Sequence, residues 1–515
     1  MSGTMDRRHL LRLGGAFSSL GVAAPFALQL AAAGSAAGQS APDYKALVCV
    51  FLFGGNDANN MVLATDQDSW ARYFAARNTG ADPIALMPPG AAATPVGQTS
   101  AVTGRTAEAD MPEAWGGVLP ITPKTAQAIP AGTNASSRTF GLHPFMGPAQ
   151  GLFNQGRLAV LANVGTLIQP TTKAQYQARS VPLPASLFSH NDQQSTWQAL
   201  STEGARTGWG GRFADLVAGM NGDSTLFTAV STGGNAVFLS GQSVVQYQLS
   251  TGAQPAVVIS GAQGSSLFGS SAAPARVREL VTDTNLASNF GADYSTVVGR
   301  SIAASSTINT AFTQPMVTAV PAAPTFTNPI TGRTETNSLA LQLQTVAKMI
   351  AAGSSLGVRR QVFFVSLGGW DTHDFQNVAQ PNLLAKVAQA LGYFDTALSN
   401  IGGFDRRGQV TTFTASDFSR TFSTNGDGTD HAWGGHHLIM GGAVRGGDIY
   451  GQYPTLGVDV SGFNNPDAVG GSLIPTTSVD QYGATLGRWF GVSDSDIDVI
   501  FPRLRNFGTR YLNFV

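Results

Sequence analysis

Between Val410 and His437 the chain reads VTTFTASDFSRTFSTNGDGTDHAWGGHH, which gathers Asp417, Asp427, Asp430, His431, His436 and His437 into one glycine-rich stretch. That is a high local density of carboxylate and imidazole for a protein with 7 histidines. Zinc, manganese and iron accept such mixtures of oxygen and nitrogen donors, so the stretch predicts a metal site. A calcium loop is the rival reading of Asn425 to Thr429, but His436 stands where that motif requires a bidentate glutamate.

Side chains of this kind must be held by a frame, and the frame is legible as a series of apolar runs ending in polar loops. Lys45 to Phe53 (KALVCVFLF) is nearly continuous in apolar residues and ends in Gly54-Gly55-Asn56-Asp57. An unbroken run fits a parallel strand covered on both faces, and such sheets bind ligands at the carboxyl ends of their strands. Asn56 and Asp57 then face a site, although a plain turn favours the same residues. Arg157 to Val164 predicts a second buried strand, after a short helix within His143 to Gln155. The later segment SLFSHNDQQSTWQ carries Ser189, His190 and Asp192, able to ligate a metal, to hold a hydroxyl or to cap a helix. Gln361 to Leu367 predicts a third strand, and the residues after it include Asp371 and His373, which paired glycines allow to turn toward one ion.

The remaining elements are coverings. Helical spacing of apolar residues predicts helices over Ser338 to Ala352 and Pro381 to Ile401, the latter leading into the strand at Val410. Leu438 to Val444 and Ile449 to Tyr453 predict further strands, and Tyr482 to Phe490 a short helix. Residues 82 to 137 are rich in proline, glycine and alanine and predict an irregular excursion. Residues of about 221 to 335 are rich in serine, threonine and glycine, lack histidine, and predict an insertion that shapes a mouth or a contact surface. Five histidines, His190, His373, His431, His436 and His437, are expected in loops after strands.

The whole chain of 515 residues carries a net charge of −1 with 12% charged residues, so no basic face is implied and the balance argues against nucleic acid as a partner. Its 1 cysteine, Cys49, precludes an internal disulfide. Residues 1–41 have the form of an export signal, with Arg7 and Arg8 ahead of a mildly apolar segment and small residues at Ala31, Ala33, Ser35 and Ala37. The paired arginines resemble a twin-arginine signal, which implies the twin-arginine translocase as a partner and a periplasmic or extracellular destination. An uncleaved anchor over Leu13 to Ala33 is the lesser alternative, weakened by Ser18, Ser19, Pro25 and Gln29.

The twin-arginine start, GGND, HNDQQSTW, GGWDTH, SDFSRT, GTDHAWGGHH and GGAVRGG together resemble a large family of exported bacterial proteins known as a domain of unknown function and related to the alkaline phosphatases and sulfatases. The resemblance covers nearly all of residues 42–515. It implies an α/β, alkaline phosphatase-like three-layer sandwich with a central, mostly parallel sheet. It also implies two divalent ions, zinc, manganese or iron: one held by Asp371, His373 and His437 or His436, the other by Asp57, Asp430 and His431. Such a pair serves hydrolysis of a small anionic phosphate or related ester. Arg420 and Arg445 are candidates to neutralise that anion. The family's nucleophile has no clear counterpart here, and Ser189 is put forward for it by position alone. The sequence has no Cys-x-Pro-x-Arg or Ser-x-Pro-x-Arg, so a sulfuric ester is disfavoured. The alternative is an exported binding or surface-assembly protein on the same frame, without catalysis.

Overall fold

The computed structural model describes residues 44–515 apart from 132, 134, 135, 223, 253–255 and 257. The expected export leader and its cleavage positions lie outside the described residues.

In chain order the elements that matter are β1 (Lys45–Phe53), α1 (Gln67–Arg77), β2 (Leu158–Gly165), α2 (His190–Ala199), α3 (Trp209–Val217), β3 (Ala229–Ser231) and β4 (Tyr247–Gln248). They continue with α4 (Ser338–Ala352), β5 (Arg360–Gly368), α5 (Gln376–Leu398), β6 (Val410–Ser416), β7 (Gly435–Met440), β8 (Ile449–Tyr450), β9 (Thr477–Ser478) and α6 (Val479–Phe490). The nine strands form one sheet in the order β8-β2-β7-β6-β1-β5-β3-β4, with β9 also paired to β2. β1 lies between β5 and β6 and is parallel to both, and β5 is parallel to β3. β7 alone among these strands runs against its neighbours, β6 and β2.

The continuous apolar run of β1 is explained by its two buried faces. Ala46, Val48, Val50 and Leu52 enter one core with residues of α4 and α5. Leu47, Cys49 and Phe51 enter the other with residues of α3 and α6. Successive side chains of a strand point to opposite faces, so an apolar residue is required at every position. The result is a mixed α/β protein with helices on both sides of a large, mostly parallel sheet. No helix among the described residues is long and apolar enough to cross a membrane.

Register aligns the strand ends. Phe53 stands opposite Gly368, and Leu52 opposite Ser416, so the loops after β1, β5 and β6 leave the sheet side by side on one rim. Within residues 221–335, β3 and β4 pair directly into the main sheet, and a long helix spans Asn289–Phe312.

Two elements differ from expectation. α5 begins at Gln376, and Pro381 lies inside it. Proline marks a favoured helix start, but here the first turn is capped from outside: Asp427 accepts the Gln376 N–H on its carbonyl at 3.0 Å and the Phe375 N–H on its carboxylate at 2.9 Å. The strand expected from Leu438 starts instead at Gly435, so His436 and His437 belong to β7 and not to a loop. Both imidazoles are buried against aromatic rings, which replaces the solvent a loop would have offered.

Candidate metal centre

Three loops and one helix start converge on the rim. β5 ends at Gly368 and delivers Asp371 and His373; the excursion between β6 and β7 delivers Asp417, Arg420, Asp430 and His431; His190 is the first residue of α2. The loop after β1 lies beneath them. Gly54 has a φ of +118°, and a side-chain carbon on it would lie 2.5 Å from the Asp371 backbone nitrogen, so only glycine lets these two loops pass so closely.

Each of three histidines has its Nδ1 against an oxygen and its Nε2 turned to the same place. His190 Nδ1 lies 2.7 Å from Asp417 Oδ2, His431 Nδ1 2.8 Å from the Phe188 carbonyl and His373 Nδ1 3.3 Å from Asp430 Oδ1. With the proton on Nδ1 in each ring, Nε2 carries a free lone pair. His190 Nε2 then stands 3.4 Å from Asp371 Oδ2, and the Nε2 atoms of His373 and His431 each stand 3.2 Å from Asp371 Oδ1. The last two nitrogens are 2.9 Å apart. Two lone pairs at that distance repel unless a cation or a proton lies between them. Ligands sharing an ion at about 2.1 Å are separated by roughly 3.0–3.4 Å, and these spacings fall close to that range. Among the described residues, His190, Asp371 and His431 bring one ligand atom each within 4.8 Å of one another.

The charges fit a divalent cation. The cluster holds three carboxylates, Asp371, Asp417 and Asp430, and one guanidinium, Arg420, which leaves two negative charges if the imidazoles are neutral. Burial pushes the Asp371 carboxyl up, but the Arg420 guanidinium, His190 and His431 outweigh it and hold it below the ordinary carboxylate range. Burial holds His431 below the usual imidazole value, aided by Arg420, which favours the neutral ligand form. His190 is raised, chiefly by its hydrogen bond to Asp417, so a proton competes with a metal for its Nε2.

Asp417 is fully buried while Asp371 is 47% and Asp430 61% exposed, so the cluster has an open side and a closed floor. On that floor Asp417 also accepts from Gln194 Nε2 at 2.8 Å and from the Gly54 N–H at 3.2 Å. A carboxylate behind a ligating histidine fixes its tautomer and ring orientation.

The structure therefore brings together His190, Asp371, His373, Asp430 and His431. It does not bring in Asp57, His436 or His437. Asp57 is 1% exposed and pairs with Arg77 of α1, whose Nη1 and Nη2 reach its two oxygens at 2.5 and 3.0 Å. Both oxygens of this carboxylate are taken up by Arg77, and its Oδ2 also by Gln376 Nε2, inside the protein. His436 receives the Asn163 N–H on Nδ1 at 3.2 Å and stacks on Tyr453 with centroids 4.6 Å apart. His437 packs on Trp197 at 4.7 Å and lies 3.3 Å from the Thr414 hydroxyl. Burial lowers both to about 3, which marks neutral core imidazoles. The division of ligands into two ion sites thus loses Asp57 from one set and the histidine pair from the other.

Of the three residues expected to act on a substrate, two have defined structural roles. Ser189 Oγ caps α2, accepting from the Asp192 N–H at 3.5 Å. Arg420 is completely buried and donates to Gly54 O at 2.7 Å, Gly55 O at 3.0 Å, Thr429 O at 2.9 Å and the Asp371 carboxylate. It shapes the floor and faces no open space.

Sequence reading did not single out Asp417, Gln194 or the Phe188 carbonyl as supports for the histidines. Asp417 is legible in the sequence as one of the carboxylates of the metal stretch, but its place behind His190 is not, and the other two contribute through contacts made across the fold.

No curated protein matches the chain. A family model described as "Protein of unknown function (DUF1501)" matches residues 44–501, and the chain belongs to that family.

Proposed function

We propose that this protein is an exported, metal-dependent hydrolase of a phosphate or related ester, on a frame akin to the alkaline phosphatases. The observation that carries the reading is the convergence of three imidazole Nε2 atoms on Asp371, each ring oriented by an oxygen at its Nδ1. Zinc, manganese or iron suits this donor set, with His190, Asp371, His373 and His431 as ligands. Such an ion supplies Lewis acidity toward an ester oxygen and lowers the pKa of water.

The protein's own groups then have separate tasks. Asp417 and the Phe188 carbonyl orient His190 and His431. Asp430, the most exposed carboxylate of the group, takes a proton from the attacking water. Arg420 holds Asp371 in place from below. Among the described residues no imidazole or carboxylate of the cluster is hydrogen-bonded to the Ser189 hydroxyl to activate it, so water is the better nucleophile. The ligand set supports one ion; a second would rely on Asp430 with donors from the substrate. The paired arginines Arg7 and Arg8 support export by the twin-arginine route.

A second reading, a non-catalytic binding or surface-assembly protein, is favoured by one observation: Arg420 is buried and spent on three backbone carbonyls and Asp371, so it is not free to act on a substrate. Elemental analysis of gently purified protein, followed by screening of activated phosphate and sulfate esters, separates the two. Bound zinc, manganese or iron near one ion per chain, with turnover lost in Asp371→Asn and His431→Ala, is expected for the hydrolase. Metal without turnover supports the binding protein. Absence of metal from protein never exposed to chelator overturns the cation site.

A further inference from the structure

Asp57, withdrawn from the cluster, ends a chain of buried polar groups that leads back to it. Gln376, at the start of α5, is 1% exposed and uses both ends of its amide. Its Nε2 donates to Asp57 Oδ2 at 2.7 Å and to Gln380 Oε1 at 3.0 Å. Its Oε1 accepts from the Thr429 hydroxyl at 2.7 Å and from the Thr372 hydroxyl at 3.3 Å. Thr372 lies between Asp371 and His373, and Thr429 immediately precedes Asp430 and His431. The two loops also touch directly, with the Thr429 N–H donating to Thr372 O at 3.1 Å.

The far end of the chain is equally fixed. Arg77 holds Asp57 and donates to Thr421 O at 2.8 Å and Phe422 O at 3.0 Å, in the stretch after Arg420. Gln380 Nε2 donates to the Asp57 carbonyl at 2.7 Å, tying the loop after β1 to α5. One amide thus receives both ligand-bearing loops on its oxygen, while its nitrogen is anchored to a buried carboxylate held by Arg77. Buried polar groups joined in this way rigidify only if every member is satisfied.

We infer that Gln376, anchored on Asp57, is the positioning residue of the cation cluster: it sets the spacing between the Asp371–His373 loop and the Asp430–His431 loop without touching a ligand atom. This rests on the cation-site reading above. A helix residue locked into a rigid frame holds two loops in register more closely than the loops could hold themselves, as a preorganised site demands.

The test uses the full chain and cobalt(II), whose visible absorption reports coordination geometry, with folded fraction followed separately by circular dichroism. Thr429→Val removes the hydroxyl at nearly constant volume, Gln376→Met removes the amide, and Thr429→Ser restores the hydroxyl. Thr429→Val and Gln376→Met are expected to weaken cobalt(II) binding about 10-fold or more and to alter its absorption, with Thr429→Ser within about threefold of the parent. If Gln376→Met does not fold, Thr429→Val against Thr429→Ser decides alone. Parent-like affinity and absorption in Thr429→Val overturn the positioning role, as does a loss of binding that only tracks loss of folded protein. A parent chain that takes up no cobalt(II) overturns the cation site itself, a result distinct from either.

Discussion

Asp417 receives the Nδ1–H of His190 at 2.7 Å from a fully buried position, and so turns the other nitrogen of that ring toward Asp371. The acid does its work from behind the ligand. Asp417→Asn keeps the size and removes the charge that raises the basicity of the ring. Zinc affinity, measured by competition with a chromophoric chelator, is expected to fall about 10- to 100-fold. Unchanged affinity would mean that His190 is not a ligand.

Arg420 distinguishes a structural from a substrate-facing cation. Its guanidinium satisfies three backbone carbonyls and Asp371 inside the protein. Lysine keeps the charge but cannot span those acceptors, so Arg420→Lys should destabilise the fold by roughly 2–4 kcal/mol in urea titration. A raised KM with undiminished stability would instead place the side chain against the substrate.

Ser189→Ala removes a helix cap. The expected cost is about 1 kcal/mol of stability, with any esterase activity within about threefold of the parent. A loss of turnover by several orders of magnitude, with metal content intact, would restore Ser189 as the nucleophile.

Stability should fall on acidification through a window fixed by three core imidazoles. His143, His436 and His437 are each lowered by burial from 6.5 to about 3. Below 6.5 the unfolded chain binds protons that the folded chain refuses, so the full stability present above that value is lost as pH falls toward 3. At pH 5 the loss is roughly 2 kcal/mol per histidine. The slope of unfolding free energy against pH measures it, and His436→Phe, which preserves the stack on Tyr453, should remove one proton equivalent. An unchanged slope in that variant would show that His436 takes up its proton in the folded state.

The strands and their covering helices were legible because their causes are local. β1 runs over Lys45–Phe53 and α4 over Ser338–Ala352, as the apolar runs and helical spacing require. A strand buried on both faces must be apolar at each position, and an amphipathic helix must repeat its apolar side every turn. The same logic marked the rim: Asp371, His373, Asp430 and His431 follow strand ends, and the sheet brings such ends together.

What no spacing could decide is which polar residues at that rim face outward. GGND and GGHH read alike as polar endings, yet Arg77, twenty residues beyond Asp57, reaches back to claim its carboxylate. His436 and His437 run into an antiparallel strand between β6 and β2, where Tyr453 and Trp197 close over them. The sequence by itself determined a mostly parallel sheet and a rim rich in carboxylate and imidazole, since both follow from short-range patterns. The tertiary structure decided which of those groups meet, because a buried charge goes to the partner that long-range packing sets beside it, and sequence distance does not measure that.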